Sequence, residues 1–227
     1  MEYVIPFETE DYVAVKFETE KDWLANRRLT IGASDVAAVF DRCPWTTRQD
    51  LYREKRGELE HKLTPSSVAA IQQGKMAEAP VRELYAINKR VRVLDGTFIQ
   101  FTSKRYPWLS CTLDGIIIDE AEKGYGDLEI KNARWDYAKW GGQFAPWHYA
   151  VQVLQQLLVT GFPYAYLYAR LTGKTDSWGQ PEVVERRFKY RAADYREEMA
   201  VIVRETKAFY EQVTTGKYPT GYGMPAI

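Results

Sequence analysis

Four short β-type stretches follow one another between residues 91 and 131 and constrain the fold most strongly. They are VRVL at 91–94, TFIQF at 97–101, LDGIIID at 113–119 and DLEIK at 127–131. The segment AEKGYG between the last two predicts a hairpin loop. A long helical pattern precedes this β region, and an apolar helix, two further strands and a last helix follow it. This order predicts a mixed α/β domain in which helices flank one central sheet.

The remaining elements follow from capping residues and periodicity. Helices are predicted at 23–28, after Ser34 or Asp35, from Thr46 or Thr47 to Arg56, and at 66–89, 147–160 and 191–213. Gly57 and Gly161 are placed to end two of them. The last two strands are predicted at 164–171 and 182–190, and the stretch 58–65 reads as a loop. We expect a single domain over 1–227, with an arm or strand at 1–20, a core at about 20–213 and an irregular tail at 214–227.

Composition excludes several classes of protein. The 227 residues are 45% hydrophobic and 27% charged, enough for one domain with a substantial core. No apolar run reaches the roughly 18 residues that span a bilayer, and no signal-peptide pattern is present. The two cysteines, Cys43 and Cys111, form no disulfide framework, so a reduced cytoplasmic location is expected. His61 and His148 are too few and too far apart for a zinc cluster, so metal chemistry must use carboxylates, which suit Mg²⁺ or Mn²⁺.

Net charge argues mildly against a nucleic-acid partner. Lys and Arg together number 31, and so do Asp and Glu. The balance is a sum over the whole chain, however, and a basic groove can be offset by an acidic exterior.

The motif Glu-x-Lys occurs three times, at Glu60, Glu129 and Glu205. The first copy lies in a polar loop, and the third lies in a predicted helix, where residues i and i+2 do not share a face. Only Glu129 and Lys131 lie on a predicted strand, where alternate side chains project together. The neighbours of Glu129, Leu128 and Ile130, should then point into the core.

A second carboxylate, Asp114, opens the preceding strand. If the two strands pair as a hairpin, Asp114 and Glu129 come close together near the middle of the sheet, and two carboxylates repel unless a cation joins them. A divalent ion there could bind phosphate oxygens and a water, which Lys131 could orient or deprotonate. The alternative is an Asp-Gly turn beside a structural ion pair.

Glu78 is a third candidate acid, on the long helix. It shares a helical face with Ile71, Gly74, Val81 and Tyr85, so it is expected on the inward side. An unpaired buried carboxylate is costly. The alternative reading is an ion pair with Lys75 or Arg82 at the edge of that face.

The segment IGASDV, with Ser34 at the start of a helix, has the features of an anion site. Arg27 or Arg28, just upstream, could supply a guanidinium to a terminal phosphate. The alternative is an ordinary helix cap. Gln152, between two valines of the apolar helix, could bind a phosphate or a water, or pair with backbone.

Taken together and in order, these segments resemble the phage lambda exonuclease or YqaJ-type viral recombinase family, within the PD-(D/E)xK nuclease superfamily. The matching motifs are W-x3-R-x3-I-x-A-S at 23–34, G-K-x-x-E at 74–78, C-x-x-D-G at 111–115, L-E-x-K at 128–131, and Q-V with V-T-G between 152 and 161. The resemblance covers about residues 20–165. It implies a PD-(D/E)xK core with a central mixed sheet flanked by helices.

The resemblance also implies an activity and its partners. Such an enzyme is a Mg²⁺-dependent 5′ to 3′ exonuclease that digests one strand of linear double-stranded DNA to 5′-mononucleotides and leaves 3′ overhangs. Two Mg²⁺ ions are expected, with Mn²⁺ as a substitute. The implied partners are double-stranded DNA ends, a single-strand annealing protein for recombination, and two further copies of the chain in a ring-shaped homotrimer. The implied location is the cytoplasm of a bacterial host carrying the phage or prophage, with no membrane association.

Roles carry over position by position. Asp114, Glu129 and the Ile130 carbonyl would bind metal, Glu78 would act near it directly or through water, and Lys131 would be the catalytic lysine. The 5′-phosphate would be held by Arg27 and Ser34, with help from Thr112 and Gln152.

The chain departs from the family pattern at Gly32, Asp35, Thr112 and Leu113, where Thr, Glu, Ser and Pro are more usual. Arg28 competes with Arg27, although the spacing from Trp23 favours Arg27. Two other functions stay open, namely an endonuclease or nickase on the same core and a non-catalytic DNA-end-binding module.

Overall fold

The computed structural model describes residues 5–59 and 65–217. Within these ranges the strands are β1 (Tyr12–Lys16), β2 (Ile31–Gly32), β3 (Arg92–Asp95), β4 (Ile99–Ser103), β5 (Leu109–Cys111), β6 (Gly115–Ile118), β7 (Tyr125–Arg134), β8 (Tyr164–Thr175) and β9 (Pro181–Arg191). The helices are α1 (Glu20–Arg27), α2 (Val36–Val39), α3 (Arg48–Lys55), α4 (Pro65–Lys89), α5 (Tyr137–Trp140), α6 (Trp147–Thr160) and α7 (Arg196–Thr215).

The larger sheet confirms the predicted mixed α/β class. Its order is β3-β6-β7-β8-β9, with β7 in the centre, and only β7 and β8 run parallel. The predicted hairpin is present, because β6 and β7 pair antiparallel with Gly115 opposite Leu128. Helix α4 packs on one face of this sheet and α6 on the other.

A second, four-stranded sheet was not predicted. Its order is β1-β4-β5-β2, and β2 pairs parallel with β5. Strands β2 and β5 contain two and three residues, too few for periodicity to be visible in the sequence. Strand β1 lies within the stretch predicted as a strand or an arm, and it pairs antiparallel with β4.

Alternation along β7 separates its polar and apolar side chains as predicted. Leu128 and Ile130 pack with Val81 and Tyr85 in the apolar layer under α4. Glu129 lies on the opposite face, where glutamines of α6 reach it. The central strand therefore presents its charged residues toward α6.

Most helix boundaries agree with the predictions. Thr47 caps α3 by accepting from Asp50 N, and α6 ends at Gly161, whose φ of +68° is the left-handed conformation that glycine tolerates. The last helix begins at Arg196 rather than residue 191, because Ala192–Asp194 forms a separate 3-10 turn. The Glu-x-Lys copy at Glu205 lies on α7 as expected, and the copy at Glu60 lies outside the described residues.

Candidate active site

A cavity of about 520 Å³ opens between the two sheets and the helices α1 and α4. All nine residues predicted to form the site line it, namely Arg27, Ser34, Glu78, Thr112, Asp114, Glu129, Ile130, Lys131 and Gln152. They come from six different elements or loops, so folding brings the scattered motifs to one place.

Glu129 is the most enclosed carboxylate of the cavity, with 2% of its surface exposed. Lys131 Nζ lies 2.5 Å from Glu129 Oε1, and Gln152 Nε2 donates to the same oxygen over 2.7 Å. Gln156 Nε2 donates to Oε2 over 2.5 Å. The carboxylate is therefore held by one cation and two amides, and only Gln156 among these partners was not predicted.

Hydrogen bonds to backbone groups fix Asp114 beside Glu129. Its Oδ2 accepts from Ile130 N over 2.7 Å, and Arg82 Nη1 donates to the Asp114 carbonyl over 2.7 Å. Burial, together with the nearby Glu129 and Glu78 carboxylates, raises the pKa of Asp114 well above its ordinary value. The two acids therefore lie close together as predicted, although Asp114 precedes β6 and is not part of the strand itself.

Glu78 lies on the cavity side of α4 and is partly buried. Its alternative ion-pair partners are engaged elsewhere, since Lys75 pairs with Glu20 and Arg82 pairs with Asp95. Burial and Glu129 raise the pKa of Glu78. The helix places this acid on the same cavity as the other two.

Lys131 is the cation of the acidic cluster. Burial lowers the pKa of its ammonium, but Glu129 and Asp114 raise it more, so the net direction is upward. Its Nζ also lies 4.7 Å from the centre of the Tyr149 ring, a cation–π contact. The ammonium is therefore charged and held in position by a carboxylate and an aromatic face.

The donor atoms here fit a hard divalent cation. Carboxylates of Asp114 and Glu129 offer oxygen ligands, and their mutual repulsion is the feature that a cation would relieve. In the described ranges, however, no group of three or more Asp, Glu, His or Cys side chains is arranged to hold a metal. Glu78 lines the same cavity as these two carboxylates.

The other end of the cavity holds the residues predicted to form an anion site. Arg27 Nη2 donates to Ser34 Oγ, and Trp23 Nε1 donates to Thr112 Oγ1 over 3.0 Å. Arg27 lines this cavity, whereas Arg28 lines a separate pocket. The structure therefore places Arg27, and not Arg28, beside Ser34.

The helix expected to open at Ser34 contributes less than predicted. Ala33–Asp35 forms a 3-10 turn, and α2 after it has only four residues. Asp35 does not cap α2 with its side chain but accepts from Gly32 N, over 2.9 Å. The positive character of this end therefore comes from Arg27, because so short a helix has a small dipole.

Comparison with known proteins agrees with this fold. A mixed sheet whose central strand β7 carries Glu129 and Lys131, with Asp114 just before the neighbouring strand β6, is the arrangement of a PD-(D/E)xK-type nuclease core. The YqaJ-like viral recombinase domain model matches residues 22–163, and the chain belongs to that family. This confirms the family that the ordered motifs resemble.

Solved structures share the fold. An alkaline exonuclease from Laribacter hongkongensis, LHK-Exo, is similar in complex with dAMP at 21% identity and TM-score 0.58, covering 87% of this chain and 96% of that one. A second LHK-Exo structure gives 20% identity and TM-score 0.56 over the same shares. A phage-related exonuclease from Haemophilus somnus 129PT gives 10% identity and TM-score 0.56, covering 85% and 98%. No curated protein matches the sequence significantly.

Family membership and the shared fold together support a nuclease. Within the described residues, no helix is long and apolar enough to cross a membrane.

Proposed function

We propose that the protein is a metal-dependent 5′ to 3′ exonuclease that digests one strand of linear double-stranded DNA to 5′-mononucleotides. The observation that carries the proposal is that one cavity holds both the acid–lysine cluster and the Arg27–Ser34 pair. The first is suited to phosphodiester hydrolysis and the second to a terminal phosphate. An endonuclease would need the first group but not the second.

Asp114 and Glu129 would hold Mg²⁺, or Mn²⁺ in its place, together with the Ile130 carbonyl, and two ions are proposed. Glu78 would act near the ions directly or through water. A bound divalent ion would polarise the phosphodiester and make water more acidic. Gln152 and Gln156 hold the two oxygens of Glu129 and so fix its orientation.

Lys131 would act on the attacking water and on the phosphoryl group. As an ammonium it can orient the water and stabilise negative charge developing on phosphate oxygens. Its pairing with Glu129 keeps it within the cavity, and Tyr149 limits its movement. The lysine can accept a proton from the water only if the neighbouring carboxylates are neutralised, because these raise its pKa.

Arg27 and Ser34 would hold the 5′-phosphate, with Thr112 and Gln152 beside it. A guanidinium and a hydroxyl at one place give charge-assisted hydrogen bonds to phosphate. LHK-Exo has been crystallised with dAMP, a mononucleotide of the kind proposed here as product. The resulting 3′ overhangs would serve recombination through a single-strand annealing partner, in a bacterial cytoplasm, with the chain acting as a homotrimer.

The decisive assay uses one linear duplex prepared with a 5′-phosphate or a 5′-hydroxyl, and a circular duplex of the same sequence. We expect Mg²⁺-dependent release of mononucleotides, faster from the phosphorylated end, and loss of activity on chelation. Cleavage of the circle would favour an endonuclease or nickase. Binding to ends with no hydrolysis in Mg²⁺ or Mn²⁺ would favour a non-catalytic module.

A further inference from the structure

A buried carboxylate lies directly behind Arg27, and two cations share it. Asp35 is 8% exposed, and its Oδ1 lies 3.0 Å from Arg27 Nη2. Its Oδ2 lies 2.7 Å from Lys55 Nζ and also accepts from Gly32 N. Neither Asp35 nor Lys55 is among the described residues that line the cavity.

Lys55 reaches this place from the last turn of α3. Its side chain is only 2% exposed, and besides Asp35 its Nζ contacts the Arg27 carbonyl oxygen over 3.1 Å. It therefore holds the backbone of Arg27 and the acid that binds the Arg27 side chain. An ammonium so deeply buried is expensive unless its contacts repay desolvation.

A charge count shows what Lys55 changes. Arg27 and Asp35 alone sum to zero, and a neutral ion pair attracts a phosphate weakly. With Lys55 the three groups sum to +1, since one carboxylate is shared by two cations. The guanidinium then keeps positive charge that the pair would otherwise cancel.

We infer that Lys55 is a positioning residue for the 5′-phosphate: it neutralises Asp35 and ties α3 to the end of α1, so that Arg27 presents unbalanced positive charge to the cavity. The inference rests on the proposed function, in which Arg27 and Ser34 hold that phosphate. Lys55 itself touches no substrate.

Two further observations fit this role. Burial raises the pKa of Asp35, but Lys55 and Arg27 lower it more, to about 2, so the carboxylate is ionised at neutral pH. A Cβ on Gly32 would lie 3.2 Å from Asp35 Oδ2 and 3.3 Å from Arg27 Nε. Glycine at this position therefore gives the ion pair room to form.

The test measures kcat/KM on duplexes with 5′-phosphate and 5′-hydroxyl ends and takes their ratio. Lys55→Gln is expected to lower the ratio about tenfold, the effect of weakening one charge-assisted hydrogen bond. Lys55→Arg is expected to keep most of it. The double variant Asp35→Asn/Lys55→Gln restores the net charge of +1 through Arg27 alone, so its ratio should recover toward the wild-type value.

The matched control is Lys104→Gln, which removes a lysine paired with Glu8 at 2.7 Å, away from the cavity. It should keep the wild-type ratio. A purely structural role of Lys55 would lower the melting temperature and leave the ratio intact in Lys55→Gln, and that result overturns the inference. If Lys55→Gln does not fold, the double variant decides. A ratio of kcat/KM near one, between phosphorylated and hydroxyl ends, overturns the inference, and a ratio near the wild-type value supports it.

Failure of the proposed function gives a different pattern. If the wild-type enzyme cuts both ends equally well, it has no subsite for the 5′-phosphate, and the inference fails together with the proposed function. A wild-type enzyme that prefers the phosphorylated end, combined with an unchanged ratio in Lys55→Gln, overturns the role of Lys55 alone.

Discussion

Gln156 Nε2 donates to Glu129 Oε2 over 2.5 Å, and the same amide lies 3.3 Å from the Thr112 carbonyl oxygen. Both residues are fully enclosed, with Gln156 at 0% and Glu129 at 2% exposure. A neutral amide thus fixes one oxygen of the central carboxylate without adding charge. Glu129 is a proposed metal ligand, and residues that orient such ligands influence affinity for the metal although they do not bind it.

Gln156→Leu is therefore expected to lower activity and to raise the Mg²⁺ concentration needed for half-maximal rate, by about tenfold to a hundredfold. Initial rates across a Mg²⁺ titration measure this. Gln155→Leu is the control, because Gln155 is equally buried but donates to the Ile31 and Ser110 carbonyls. An equal shift in both variants would mean that the effect is general loss of packing.

Lys131→Ala is expected to lower kcat by about 10²–10⁴-fold, the usual contribution of a group that transfers or orients a proton. The matched control is Lys207→Ala, in the copy of Glu-x-Lys that lies on α7. Its lysine is exposed, so the rate should stay at the wild-type level. Single-turnover digestion of a phosphorylated duplex separates chemistry from binding. Unchanged chemistry in Lys131→Ala would rule out the proposed role.

Local patterns predict much of this site. Strand alternation and the hairpin spacing are enough to bring Glu129, Lys131 and Asp114 together, because these relations are set within one pair of neighbouring strands. Helical spacing adds Glu78. Glu78, Asp114, Glu129 and Lys131 could therefore be anticipated from single segments.

Tertiary contacts could not be anticipated in the same way. Gln156 faces Glu129 because of the orientation of α6 over the sheet, and the sequence does not show which of the three glutamines of α6 point toward that strand. Lys55 and Asp35 meet through the packing of α3 against the turn before α2. Strands β2 and β5 pair with each other, but both segments are too short to show a period in the sequence.

Asp127 is expected to reduce stability. It is 0% exposed, and neither of its carboxylate oxygens has a hydrogen-bond partner in the described part of the chain. Burial, Glu129 and Asp114 raise its pKa well above the ordinary value. Asp127→Asn should increase the free energy of unfolding by about 1–3 kcal/mol, since an unpaired buried acid is costly.

The pH dependence of that gain follows from the direction of the pKa shift. An acid whose pKa is raised by folding costs stability increasingly as pH rises above its unfolded value of 3.8. The advantage of Asp127→Asn should therefore grow from about pH 4 upward, as measured by urea unfolding. Glu83→Gln, an exposed change on α4, serves as the control. If Asp127→Asn is instead less stable than the wild type at neutral pH, Asp127 has a hydrogen-bond partner, such as an internal water.

Asp35 is expected to show the opposite dependence. Although burial raises its pKa, Lys55 and Arg27 lower it from 3.8 to about 2, so its ionised form stabilises the fold. A carboxylate depressed in this way contributes fully above its unfolded pKa and loses that contribution as pH falls through the folded value. The shift corresponds to about 2 kcal/mol of stability at neutral pH.

The difference in free energy of unfolding between wild type and Asp35→Asn should therefore be nearly constant above about pH 5 and should shrink by about 2 kcal/mol as the pH approaches 2. Urea unfolding at several pH values measures it, and taking the difference cancels groups that titrate alike in both proteins. Gln49→Ala, an exposed change on α3, is the control, because neither side chain titrates. A constant difference for Asp35→Asn down to about pH 2 would show that neither Lys55 nor Arg27 holds this carboxylate, because their charges are the cause of the depressed pKa.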